Sequence, residues 1–113
     1  MSRPEKIGAA AALRELAGWS QCDGRDAITC SYRFSNFSAA FGWMTRMAMA
    51  AEALDHHPEW FNVYDKVDVT LSTHDAGGVT ALDVRLAKLM DEAFAASPQR
   101  SHGVRPNPAA TRK

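Results

Sequence analysis

The sequence has little cysteine and no long apolar run. Cys22 and Cys30 are its only cysteines and lack CxxC spacing, so neither a disulfide framework nor a thiol redox site is indicated. No stretch approaches the roughly 20 apolar residues that a membrane-spanning helix needs. The alanine-rich run of residues 7–13 is flanked by Glu5 and Glu15, which is unlike a signal or transit peptide. We expect a cytoplasmic protein that is also small enough to enter the nucleus.

Net charge is absent too, since 13 Lys and Arg residues balance 13 Asp and Glu residues. Four of the basic residues and none of the acidic ones lie in residues 100–113, which leaves a charge of about −4 on residues 1–99. Nucleic-acid binding usually requires a basic face on the folded body. The charge distribution therefore predicts no direct nucleic-acid contact, and the lack of apolar runs predicts no membrane insertion.

Several catalytic fingerprints are missing as well. There is no GxSxG, P-loop or dinucleotide motif, so acyl, phosphoryl and hydride transfer have no support. His56, His57 and His74 with a carboxylate could form a zinc site. However, adjacent histidines seldom reach one metal together, and no HExxH motif or cysteine pair accompanies them. We therefore expect chemistry without a metal or another cofactor.

The pattern of apolar residues indicates one mixed domain. At 113 residues and 46% hydrophobic, the chain can bury a single core. Helices are predicted at residues 4–17, 36–54 and from 80 to the last residue before Pro98, and strands at 28–34, 60–64 and 66–73. Residues 98–113 are proline-rich and nearly without apolar side chains. We expect a single domain over residues 1–97 and a disordered basic tail over 98–113.

The second predicted helix is apolar over most of its circumference. Asn36 is a plausible N-cap, and two adjacent stripes follow, one of Phe37, Phe41, Met44, Ala48 and Ala51 and one of Ala40, Trp43, Met47, Ala50 and Leu54. One small sheet cannot cover so much apolar surface. The pattern favours a subunit interface, with a fully buried internal helix as the alternative.

Three of the four histidines lie in one frame in the second half of the chain. The frame consists of Glu52, His56-His57-Pro58, Tyr64, His74 and Asp83. Histidine exchanges a proton near neutral pH. Glu52 and His56 stand four apart on a helix, so their side chains can meet and the carboxylate can orient the imidazole. The predicted hairpin can bring His74 across to the other two.

Each member of the frame also has a structural alternative. A histidine at a helix end is usually a cap or a surface group, and His74 before a glycine turn fits a polar loop. Asp83 is spaced to complete a capping box with Thr80. Trp60 and Tyr64 fit half-buried strand positions. Taken singly, none of these residues identifies a site.

Together the frame resembles the signature of the pterin-4a-carbinolamine dehydratases, and the segment DHHPEWFNVYDKVDVTLSTHD at residues 55–75 is similar to the animal members. The resemblance covers roughly residues 19–95. It implies an α+β fold with a four-stranded antiparallel sheet and three helices packed on one face. It further implies a carbon–oxygen lyase that converts 4a-hydroxytetrahydrobiopterin to quinonoid dihydrobiopterin and water, in tetrahydrobiopterin recycling.

The resemblance also implies roles for particular residues. His56 and His74 would be the main acid and base, and His57 would bind or assist. The pterin substrate would be held by Glu52, Asp55, Trp60, Ser72, Thr73, Asp75 and Asp83. Members commonly form dimers paired into tetramers, so a homo-oligomer is expected.

A binding module is the second hypothesis. Animal relatives also act as dimerisation cofactors for a homeodomain transcription activator, through the surface of the long helix. The present chain resembles them there at residues 40–42 and 44–46. The two functions are not exclusive.

Overall fold

The computed structural model describes residues 4–105, with side chains to residue 100. It confirms the α+β prediction of three helices and an antiparallel sheet. The helices are α1 (Ala9–Leu13), α2 (Phe37–Leu54) and α3 (Ala81–Ala95). The strands are β1 (Ser20–Gln21), β2 (Ile28–Phe34), β3 (Glu59–Val63), β4 (Lys66–Leu71) and β5 (Gln99–Arg105).

The sheet has the order β1-β2-β4-β3, with every neighbouring pair antiparallel. β2 and β4 pair in the register that sets Cys30 opposite Val69 and Tyr32 opposite Val67. β3 and β4 form a tight hairpin in which Trp60 lies opposite Val69. One face of the sheet therefore collects the alternating apolar residues of β2 and β4, together with Trp60 of β3.

The core lies between this face and the helices. Ile28, Cys30, Tyr32, Phe34, Val67, Val69 and Leu71 are fully buried there. The Tyr32 ring lies 4.8 Å from the ring of Trp43 in α2 and 4.9 Å from that of Phe94 in α3, measured between centroids. These aromatic contacts fix both long helices on the sheet.

The first helix is shorter than predicted. Gly8 has φ 88°, in the left-handed region, so a right-handed helix cannot run through it. The Ile7 and Gly8 N–H groups donate to the Val79 carbonyl, which ties this segment to the start of α3. After Leu13 the chain continues in i to i+3 bonds rather than α-helical ones. Helix propensity alone predicted residues 4–17, and a tertiary bond limits the helix to Ala9–Leu13.

The structure also differs from the expected disorder after residue 97. Gln99–Arg105 forms β5, which pairs with the β2 edge that β1 leaves open and adds a fifth strand to the expected four. Arg100 makes an ion pair with the buried Asp65. Backbone pairing to an open strand edge needs no apolar side chains, so composition could not indicate it. The remainder of the predicted tail, residues 106–113, lies outside the described residues.

Asp91 of α3 is a carboxylate held beside the core. Its Oδ1 accepts hydrogen bonds from the Tyr32 hydroxyl at 2.5 Å and from the Trp19 indole N–H at 3.2 Å. Burial raises the pKa of the Asp91 carboxyl, although both hydrogen bonds favour the ionised form. Folding is therefore coupled to protonation at this position.

The raised pKa has a definite effect on stability. A carboxyl that binds its proton more tightly when folded stabilises the protein fully below the unfolded pKa of about 3.9, and this stabilisation is lost as pH rises through the folded pKa. We expect the melting temperature of the wild type, relative to that of Asp91→Asn, to fall as pH rises from about 4 to about 7. Thermal unfolding followed by circular dichroism measures this, with the exposed Glu92→Gln as control. A pH-independent difference would contradict the coupling.

Candidate active site

The histidines of the frame gather at the end of the sheet where β3 begins and β4 ends. Glu59 is paired with Thr70, so the antiparallel register carries the chain before Glu59 alongside the chain after Thr70. Residues 55–57 thus approach residues 72–74. The hairpin does bring His74 across to the other two histidines, as its position predicted.

His56 points inward and is 4% exposed. α2 ends at Leu54, and Asp55 takes a left-handed conformation (φ 51°, ψ 44°), which turns the chain away from the helix axis. Nε2 of His56 lies 2.5 Å from Oδ1 of Asp83, which is fully buried. A carboxylate at Asp83 can only accept a hydrogen bond, so it would hold the His56 ring with its Nε2–H toward Asp83 and with Nδ1 as the free acceptor nitrogen.

Asp83 holds more than this imidazole. Its Oδ2 accepts from the Thr80 backbone N–H and from the Thr73 hydroxyl, both at 2.8 Å. Thr80 is the N-cap of α3 and forms the predicted capping box with Asp83. The capping role of Asp83 is therefore confirmed, and its other oxygen faces His56. Its expected contact with the substrate stays a prediction.

Glu52 does not contact His56, so the predicted pairing is wrong. Its Oε1 lies 2.8 Å from Nε2 of His57, and both side chains are exposed. The i to i+4 rule requires a continuous helix, and α2 ends before His56. Because of the turn at Asp55, Glu52 contacts His57, and His56 contacts Asp83 instead.

One pocket joins the three imidazoles. His74 is exposed and opens a 3₁₀ turn, His74–Ala76. With His56, His57, Asp55 and Ser72 it lines a cavity of about 220 Å³. Thr73 lies beneath the pocket, with its hydroxyl bonded to Asp83 and Thr80.

Three of the residues singled out in the sequence are not among those that line this pocket. Trp60 is half-buried, and its ring centroid lies 6.2 Å from that of Trp43, so it packs toward the core. Asp75 is exposed within the 3₁₀ turn. Tyr64 has φ 51° and lies in the hairpin turn at the other end of β3. The structure thus does not place these three among the pocket-lining residues.

A second cavity of about 210 Å³ adjoins the first and contains residues that sequence reasoning missed. Ser72 and His74 line both cavities, and the second is completed by Arg25, Asp26, Glu59, Gly77 and Gly78. Arg25 donates to both oxygens of Glu59 at 2.8 Å, which raises the pKa of Arg25 and lowers that of Glu59. In the sequence, Arg25 and Asp26 lie in the segment Gly24-Arg25-Asp26-Ala27-Ile28, which is part of the family resemblance but carries no indication of a role in the site.

Cavity volume alone does not identify the candidate active site. A larger cavity of about 410 Å³ lies along α3 and is lined by Ile7, Glu15, Ala81, Val84, Arg85, Lys88, Leu89 and Glu92. It is mainly apolar and contains no histidine. The smaller paired cavities hold the proton-transfer groups, so chemistry identifies them as the candidate active site.

Two kinds of feature are absent from residues 4–105. No group of three His, Cys, Asp or Glu side chains is arranged to hold a metal ion in this part of the chain. None of the helices described here is both long and apolar enough to cross a bilayer.

Comparison with known proteins finds relatives that match most of the chain. A family model described as Pterin 4 alpha carbinolamine dehydratase matches residues 3–93. A protein of Bradyrhizobium sp. is 67% identical over 86 residues, covering 76% of this chain and 86% of the relative. One of Rhizobium johnstonii is 56% identical over 95 residues, covering 84% and 94%. Both bear the provisional name pterin-4-alpha-carbinolamine dehydratase.

A solved structure shares the fold. The crystal structure of a transcriptional coactivator/pterin dehydratase from Brucella melitensis matches with a TM-score of 0.73 at 55% identity, covering 75% of this chain and 90% of that one. The family model spans most of the chain, and two relatives exceed half identity over three quarters of it or more. The chain therefore belongs to the pterin-4-alpha-carbinolamine dehydratase family.

Proposed function

We propose that this protein dehydrates 4a-hydroxytetrahydrobiopterin to quinonoid dihydrobiopterin, in tetrahydrobiopterin recycling, by histidine acid–base catalysis. The observation that carries the proposal is the convergence of His56, His57 and His74 on one pocket. Family membership supplies the substrate class.

The reaction needs one acid and one base. The C4a–O bond breaks, and the leaving hydroxide takes a proton from the acid to become water. The N5–H bond gives its proton to the base, and its electrons form the N5=C4a double bond. Protons and electrons balance without an oxidant or reductant, so two imidazoles suffice.

The surroundings of the histidines suit these roles. Asp83 fixes the ring orientation and the tautomer of His56, as a buried carboxylate does for a catalytic imidazole. His74 lines the same cavity from the 3₁₀ turn after β4, so it and His56 form the acid–base pair. His57, held by Glu52, assists from the rim beside Asp55 and Ser72. Thr73 supports the site from below through Asp83.

We expect His74→Ala to lower turnover by at least about tenfold, because general acid or base catalysis is typically worth about 10²–10⁴-fold. His74 is exposed, so the fold should survive its loss. The measurement is the dehydration rate of freshly generated 4a-hydroxytetrahydropterin by ultraviolet absorbance, with a His56→Ala, His74→Ala double variant alongside.

His102→Ala is the matched control for that experiment, since it removes the one histidine outside the frame. It should retain wild-type turnover. Near-wild-type turnover in a folded His74→Ala variant would remove His74 from the mechanism. A wild type that gives no acceleration over buffer would refute the dehydratase proposal.

A second function as a binding module is favoured by the outer face of α2. Phe37, Phe41 and Met49 are 48%, 55% and 70% exposed on this helix. Ala40, Trp43, Met47 and Ala51 on the opposite side are buried. We propose that the exposed side joins copies of this chain into a homo-oligomer and is the surface that a helical transcription-factor partner would use.

Gel filtration at micromolar concentration tests the self-association. We expect an oligomer, and we expect Phe41→Glu to lower the apparent mass, because it places a charge in the apolar contact. Ile7→Glu, which alters an exposed apolar residue outside α2, is the control. A monomeric wild type, or equal effects of the two substitutions, would contradict the proposed interface.

A further inference from the structure

The dipeptide Arg25-Asp26, in the turn before β2, contacts four separate segments around the paired cavities. We propose that it is a positioning element that holds the solvent-side wall of the catalytic cleft, setting the segment of His57 against that of His74. The inference rests on the proposed dehydratase function and adds residues to which no role has been assigned.

Arg25 holds the segment that carries His56 and His57. Its guanidinium donates in bidentate fashion to Glu59, with both N–O distances at 2.8 Å. Glu59 is the first residue of β3 and follows His57 after Pro58. A bidentate arginine–carboxylate pair fixes direction as well as distance. The pair therefore restrains the rim where His57 lies.

Asp26 holds the opposite segment. Its backbone carbonyl accepts a hydrogen bond from the Ser72 hydroxyl at 3.0 Å. Its carboxylate accepts from the Ala9 N–H at 2.7 Å and lies against Gly78, where an added Cβ would collide with it. Ser72 precedes Thr73 and His74, and Gly78 pairs with Thr73. Asp26 thus restrains both ends of the His74 turn.

These contacts lie beyond the end of the β3–β4 pairing, where backbone hydrogen bonds between the two strands no longer hold the segments together. Pairing between β3 and β4 ends at Glu59 and Thr70, so the histidine-bearing segments lie beyond the last paired residues. On the buried side Asp83 links them, through His56 and Thr73. On the solvent side the link runs from Glu59 through Arg25-Asp26 to Ser72. The cleft therefore has one tie beneath it and one at its rim.

The free energy of unfolding should depend little on the Arg25–Glu59 ion pair. The side chains of Arg25 and Glu59 are 45% and 58% exposed, and exposed ion pairs contribute little to the free energy of unfolding. Small displacements of catalytic groups, by contrast, reduce rates strongly. Loss of this pair should appear in catalysis rather than in melting temperature.

The test measures kcat and KM for Arg25→Ala, for Arg25→Glu, and for Arg25→Glu combined with Glu59→Arg. We expect Arg25→Ala to lower kcat by about tenfold, since a displacement of about 1 Å can cost up to about 100-fold. KM should change by less than about twofold, because a positioning residue makes no uniform contact with substrate. The reversed pair should recover at least half of the kcat that Arg25→Glu loses.

Lys88→Ala is the matched control. Lys88 forms an ion pair with Glu15 at 3.0 Å, with side chains 52% and 55% exposed, away from the paired cavities. It should leave kcat unchanged. Full kcat in Arg25→Ala, a rise in KM alone, or no recovery in the reversed pair would each overturn the positioning role.

A second readout is independent of turnover. The four histidines can be followed through their imidazole signals in NMR spectra, each assigned by substitution. We expect Arg25→Ala, but not Lys88→Ala, to shift the signals of His57 and His74, and the reversed pair to move them back. Signals that Arg25→Ala leaves unmoved would overturn the positioning role, whether or not the wild type is an active dehydratase. If Arg25→Ala shifts the signals but the wild type has no activity, only the dehydratase function is refuted.

Discussion

The buried carboxylate of Asp83 joins the fold to the candidate chemistry. One oxygen caps α3 and accepts from Thr73 at the end of β4, while the other binds the imidazole of His56. A carboxylate without solvent needs all of these partners, because a missing one would leave charge unsatisfied at considerable cost. The start of α3, the end of β4 and the chain after α2 are therefore fixed relative to each other by one side chain.

Around Asp83 the site is built in two layers. The inner layer is buried and neutralises its carboxylate with backbone, hydroxyl and imidazole donors. The outer layer is exposed and consists of charged pairs, His57 with Glu52 and Arg25 with Glu59. Buried networks are rigid because leaving them unsatisfied is costly, whereas exposed pairs contribute little to the free energy of unfolding and act by positioning the groups they join. The arrangement combines a buried network behind His56 with exposed charged pairs at the rim.

The apolar residues of α2 lie on two sides of the helix, one buried in the core and one exposed. The inner stripe of α2 fills the core beside Tyr32 and Phe34, with Trp43 fully buried. The outer stripe, including Phe37 and Phe41, remains exposed and in mutual ring contact at 5.7 Å. The helix is therefore not fully buried, and the expected subunit interface on its exposed side stays a prediction. One side is internal, and the other is available for a second copy or a partner.

The sequence by itself determined the features that depend on local spacing. The Asn36 cap, the Thr80–Asp83 capping box and the alternation of β2 and β4 follow from neighbouring residues, and the histidine spacing indicated the family. Tertiary structure decided which carboxylate contacts which histidine, since the turn at Asp55 places His56 against Asp83 and His57 against Glu52. It also decided where α1 ends, the pairing of β5 with β2 and the ion pair of Arg25 with Glu59. Each of these depends on contacts between residues far apart in sequence, which no local periodicity can encode.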